Sequence, residues 1–143
     1  MLRAFPMILI TVLLYNAMTF GGMAGGHDSV SLLAQSFTVH LFSGDAWKVT
    51  LGDLFLALAL SFLFIETVKA TRTTSREILN HAFSMLTFTG ALVEFITLKG
   101  FGTSTFFFIT AMCLFDVVAG YTISIITAKR DMTVEHAQHG YDD

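Results

Sequence analysis

The stretch TSTFFFITAMCLFDVVAGYTISIITA, residues 103–128, is the longest apolar run in this 143-residue chain and decides its fold. Three further apolar runs lie at residues 4–20, 51–67 and 78–98. A helix needs about 20 residues to cross the hydrocarbon of a membrane, and roughly 17 is the lower limit. Helices are favoured because lipid offers no partner to an unpaired backbone group, and the runs lack the alternation of a barrel strand. The sequence therefore predicts an all-α integral membrane protein with four transmembrane helices in a single membrane domain, residues 1–143.

Composition and charge placement support this prediction and suggest an orientation. Hydrophobic residues make up 54% of the chain and charged residues only 13%, about half the share of charge in a soluble domain. Six of the eight basic residues fall on one side of the four helices, which predicts that both termini are cytoplasmic. Residues 21–50 would then be extracytoplasmic, and residues 129–143 would form a cytoplasmic tail. A net charge of −3 argues against a nucleic-acid partner.

The first apolar run is expected to be retained as a helix rather than removed as a signal peptide. No A-x-A site follows it, and Pro6 suits a first helical turn, where a missing N–H costs little. The glycine-rich residues 21–26 are expected to leave the helical conformation.

Residues 36–50 alternate between apolar and polar side chains and contain the turn sequence Ser43-Gly44-Asp45. This pattern predicts a small hairpin at the outer membrane surface. Trp47 would then be an interfacial anchor at the level of the lipid headgroups. An interfacial helix is the alternative, because one helical face would also carry Val30, Leu33, Phe37 and Leu41. The hairpin is the favoured interpretation.

Polar side chains within the spans are the candidate functional residues. A charged residue at the centre of a span costs roughly 2.5–3.5 kcal/mol on insertion scales, so it usually faces a partner rather than lipid. Asp116 is central in its span and is the foremost candidate. Glu66 is expected to pair with Lys69 on the same helix. Glu94 lies within reach of Lys99 or of the lipid headgroups, and His81 lies at a depth where it is able to hydrogen-bond to Glu66. The full set of intramembrane polar candidates is Asp116, Glu94, Glu66 and His81.

Small and hydroxyl residues form one stripe on each of the last two helices. Such stripes let membrane helices approach closely, and they predict a packing seam. A hydrated seam that moves protons or a substrate is the alternative. The predicted seam residues are Ser84, Thr87, Ala91, Cys113, Gly120 and Ser124.

The sequence favours neither an enzyme nor a metalloprotein. It contains no nucleophile with a paired base, no phosphate loop and no CxxC. The acidic and histidine residues of the tail, Glu135, His136 and His139 among them, are typical of a solvated segment, so no metal site is expected. No cofactor is predicted. The phenylalanine run 106–108 suits lipid contact, with another subunit or a flat hydrophobic ligand such as a quinone or pigment as the alternative.

Several segments resemble a known group of proteins. They are residues 68–73 (VKATRT), 80–82 (NHA), 104–107 (STFF) and 116–120 (DVVAG). They resemble a family of small bacterial inner-membrane proteins with four predicted helices, over roughly residues 45–131. The resemblance implies the fold and a location in the bacterial inner (cytoplasmic) membrane, and it implies no activity.

Two functions of different kinds fit these observations. The first is a non-catalytic accessory or assembly subunit of a larger inner-membrane complex, with an energy-transducing complex as one candidate. Its partners would be other integral membrane subunits. The second is a small homo-oligomeric proton-coupled carrier or proton-conducting protein that uses the intramembrane carboxylates.

Overall fold

The computed structural model describes residues 5–70 and 77–139, and it is mostly helical. Each of the four apolar runs forms a long helix, and a short helix with a strand pair lies between the first two. The elements in chain order are α1 (Ile8–Ala24), α2 (Ser29–Leu33), β1 (Ser36–His40), β2 (Ala46–Thr50), α3 (Leu51–Ala70), α4 (Glu77–Thr97) and α5 (Ser104–His139).

Two of these helices are long and apolar enough to cross a membrane. They are Leu51–Ala70 and the first part of α5, Ser104–Ile123. Helix α1 is apolar but has only 17 residues. Helix α4 has 21 residues, but the polar side chains on one of its faces make it less apolar overall.

Helix α1 begins and ends later than its sequence predicts. Met7 is the N-cap residue, so Pro6 precedes the helix instead of occupying its first turn. The prediction that Gly21 and Gly22 leave the helix is wrong, because α1 continues to Ala24. A Cβ atom on Gly22 would overlap the side chain of Leu32, so this glycine allows α2 to pack closely against α1.

The predicted hairpin is confirmed, and its pairing separates an apolar from a polar face. Strands β1 and β2 are antiparallel, with Phe37 opposite Val49 and Val39 opposite Trp47. Directly opposed residues lie on the same face of a sheet, so these four apolar side chains share one face. Phe37 and Trp47 are exposed, whereas Val49 is buried.

Strand β2 runs into α3 without a linker. The Asp53 carboxylate accepts hydrogen bonds from the Thr50 amide at 2.8 Å and from the Thr50 hydroxyl at 2.7 Å. The Asp53 amide donates in return to the Thr50 hydroxyl at 3.1 Å. This reciprocal arrangement caps the start of α3. The Leu51 amide also donates to the Gln35 carbonyl at 2.8 Å, which closes the base of the hairpin.

The long helices form a bundle in which α5 packs against both α3 and α4, and α1 packs chiefly against α3. Tyr15 is fully buried in α1 and contacts the rings of Phe55, Phe101 and Phe106. Its hydroxyl is 2.6 Å from the Thr103 hydroxyl, at the start of α5. This aromatic cluster holds α1, α3 and the α4–α5 turn together.

Helix α5 is longer than its sequence predicts. It continues through the expected tail to His139. Between residues 129 and 139 the chain has no glycine or proline and is rich in good helix formers, which explains the continuation.

Apolar side chains face outward along the bundle, and several polar ones lie inside. Leu60 and Phe64 on α3 are 58% and 69% exposed. In contrast, Glu66 is only 2% exposed and Asp116 only 5%. A soluble protein rarely exposes apolar surface on this scale.

Candidate functional site

Glu66 is the most extensively hydrogen-bonded side chain of the described bundle. Its carboxylate accepts a bond from the Asn80 side-chain amide of α4 at 2.9 Å and one from the Met7 backbone amide at 3.2 Å. Lys69, one turn further along α3, forms the predicted ion pair with it at 3.0 Å. The buried charge is thereby compensated, and a single carboxylate joins α1, α3 and α4.

Asp116 lies near the Glu66 carboxylate but has different hydrogen-bond partners. Ser84 of α4 is its side-chain hydrogen-bond partner, and the charges of Glu66, His81 and Lys69 act on it. Its second oxygen, Oδ2, is buried without a hydrogen-bond partner among the described residues. Buried oxygen atoms are rarely left unpaired. Such an atom is able to bind a proton or to accept a bond from a small polar ligand.

His81 is buried beside Asp116, because its ring packs closely against α5. Its ring stacks on Tyr121, with the ring centres 5.3 Å apart. A Cβ atom on Gly120 would lie only 2.5 Å from His81 Nδ1, so the ring occupies space that a glycine leaves open. Asn80, the residue before His81, donates to Glu66 from α4.

Glu94 lies apart from this cluster, one turn before the end of α4. It accepts a hydrogen bond from the Asn16 side-chain amide of α1 at 2.9 Å. Among the described side chains, Glu94 and Lys99 form no ion pair. Asn16 was not among the predicted residues, although a lone amide within an apolar run is the signal that identifies it.

The two stripes of small residues lie largely inside the bundle. Thr110 donates back to the Phe106 carbonyl of its own helix, and Thr87 does so to Phe83. The side chain of Ser124 lies outside the described part of the structure, as do those of the tail residues considered for a metal. The buried seam residues are Ser84, Thr87, Ala91, Cys113 and Gly120.

The structure therefore brings together three of the four predicted polar candidates: Glu66, His81 and Asp116. It leaves Glu94 with a separate partner. Among the side chains that the structure describes, those of residues 5–70, 80–123, 125 and 126, no three histidine, cysteine, aspartate or glutamate side chains are grouped in a way that would hold a metal ion. The aromatic run is divided, since Phe106 is buried and Phe107 and Phe108 are half exposed.

No protein family, curated protein or solved structure matches the chain.

Proposed function

We propose that the protein is a non-catalytic accessory or assembly subunit of a larger complex in the bacterial inner membrane. The observation that carries the proposal is the division of polar and apolar groups in the bundle. Glu66 is bonded within the protein's own helices, whereas large apolar side chains such as Leu60 and Phe64 face outward. Such a surface suits lipid and neighbouring membrane helices better than water.

The proposed arrangement has four transmembrane helices with both termini in the cytoplasm. The placement of Lys and Arg supports this orientation. Helix α3, with 20 residues, has a length of roughly 30 Å, which equals the thickness of the hydrocarbon core. The hairpin that precedes it would then lie at the outer surface.

Gentle extraction from the native membrane tests the proposed function. We expect the C-terminally tagged protein to be recovered in a large particle with other membrane subunits in fixed stoichiometry. Recovery of the protein alone, as a monomer or a small homo-oligomer, would contradict an accessory role.

A second function is supported by the unpaired oxygen of Asp116. A buried carboxyl group beside His81 and Ser84 has the chemistry of a proton-binding group. In this alternative the protein is a proton-coupled carrier or a proton-conducting protein. Four helices are few for a transport path, so it would work as a homo-oligomer.

Asp116→Asn separates the two proposals, because asparagine keeps the shape and the hydrogen bond to Ser84 but cannot release a proton. If the protein conducts protons, we expect flux into liposomes to fall by roughly 10²-fold, the size of a lost acid–base group. For an accessory subunit, we expect the variant to remain in its complex. Thr122→Val, at an exposed position of α5, is the control. If the variant keeps both proton flux and assembly, Asp116 is required for neither function.

Trp47 allows a direct test of the membrane surface, because it is the only tryptophan in the chain. Its ring is 54% exposed on the apolar face of the hairpin. We expect its fluorescence in liposomes to be quenched most strongly by lipids brominated close to the headgroup. Trp47→Phe provides the background signal. Strong quenching by aqueous acrylamide, with none by brominated lipid, would place the hairpin in water instead.

A further inference from the structure

An open groove runs between α1 and α4. It has a volume of about 350 Å³, and most of its walls are apolar. Val12 and Leu13 line it from α1, and Phe83, Leu86 and Gly90 line it from α4. From Phe83 to Glu94 the groove follows α4 over roughly 16 Å, about three helical turns.

The groove ends at a carboxylate. Glu94 lies at one end and accepts the amide of Asn16, which also lines the groove. The Asn16 amide is uncharged, so it does not neutralise the Glu94 carboxylate. The one ion pair among the described side chains joins Lys69 to Glu66, so Glu94 has no cationic partner within that part of the chain. A carboxylate at the edge of a lipid-facing groove favours a ligand that brings a positive charge.

The middle of the groove has room for a close approach. A Cβ atom on Gly90 would meet no other atom within 4 Å, and the neighbouring Ala91 is small. An acyl chain alone would fill the apolar part, but it carries no charge for Glu94. A helix with one basic side chain satisfies both parts of the groove, because its backbone packs against the glycine and its charge reaches the carboxylate.

We propose that the α1–α4 groove binds one transmembrane helix of another subunit, and that this helix carries a lysine or arginine side chain that pairs with Glu94. The inference rests on the proposed accessory function and specifies the surface through which it acts. Glu94 then sets the register of the two helices, while Gly90 sets their separation.

A synthetic transmembrane helix of leucine and alanine is a defined probe for this site. One version carries a single lysine at the depth of Glu94, and a second carries leucine there. Binding to the full-length protein is measured in liposomes by energy transfer from a label on the C-terminal tag. We expect the lysine peptide to bind roughly tenfold more tightly than the leucine peptide. This preference should vanish in Glu94→Gln, which keeps the acceptor for Asn16.

Gly90→Leu places a bulky side chain in the groove at a position where its Cβ meets no other atom within 4 Å, and we expect it to abolish binding of both peptides. Gly21→Leu is the matched control, because Gly21 is also a helical glycine with no atom within 4 Å of an added Cβ. Equal binding of the two peptides to the natural protein would overturn the proposal. So would normal binding to Gly90→Leu, or a groove occupied by phospholipid that excludes both peptides.

The outcome is separable from that of the accessory function. If native extraction recovers partner subunits while the lysine peptide shows no preference, the groove is not their docking site and the accessory role stands. If extraction recovers the protein alone, the accessory role fails regardless of how the peptides bind.

Discussion

Glu66→Ala is expected to lower the free energy of unfolding by about 3 kcal/mol or more, the loss typical of breaking a buried ion pair. The substitution removes the acceptor for the Asn80 amide and for the Met7 backbone amide. It also leaves Lys69 without its counter-ion. Since the lost contacts belong to three helices, the whole bundle should be affected, which denaturant titration in detergent micelles would measure.

Glu66→Gln is the matched control for this experiment. It keeps an oxygen acceptor for Asn80 but removes the charge and the second oxygen, which accepts from the Met7 amide, so its loss should be smaller than that of alanine. Glu66→Ala with a loss below about 1 kcal/mol, the range of a surface ion pair, would mean that the carboxylate does not hold the helices together.

Tyr15→Ala is expected to have the second large effect, a loss of about 3–5 kcal/mol, which is typical when a buried aromatic side chain is truncated. Tyr15 is fully buried among Phe55, Phe101 and Phe106, so alanine would leave a cavity where α1, α3 and the α4–α5 turn meet. The same titration measures it.

Comparison with Tyr15→Phe separates the contribution of ring packing to the free energy of unfolding from that of the hydroxyl hydrogen bond. It keeps the ring and loses only the contact with the Thr103 hydroxyl, so we expect a loss of about 1 kcal/mol. Equal losses in the two variants would show that the hydroxyl, rather than the ring, holds the cluster together.

The sequence predicted the parts of the fold that local patterns determine. Apolar runs predicted the four long helices, and alternation in residues 36–50 predicted the hairpin. The ion pair between Glu66 and Lys69 was predicted from their spacing alone, because residues three apart on a helix are neighbours.

Contacts between different helices were not predictable in the same way. Asn80 and His81 are adjacent in the chain and have almost the same depth, but they point in directions that differ by about 100°. Which α4 side chains face Glu66 depends on the rotation of α4, which one helix alone does not determine. Asn16 was missed for a related reason, since its contact with Glu94 depends on the position of α1 beside α4.

The junction between the hairpin and α3 has a mechanical consequence. Thr50 is the last residue of β2 and Leu51 the first of α3, and the Asp53 cap locks the joint. Because no flexible linker separates β2 from α3, the hairpin and the start of the helix should move together as one rigid unit. We expect a rotation of the hairpin to turn α3 with it, and so to act on Glu66 and on the helices bonded to that carboxylate.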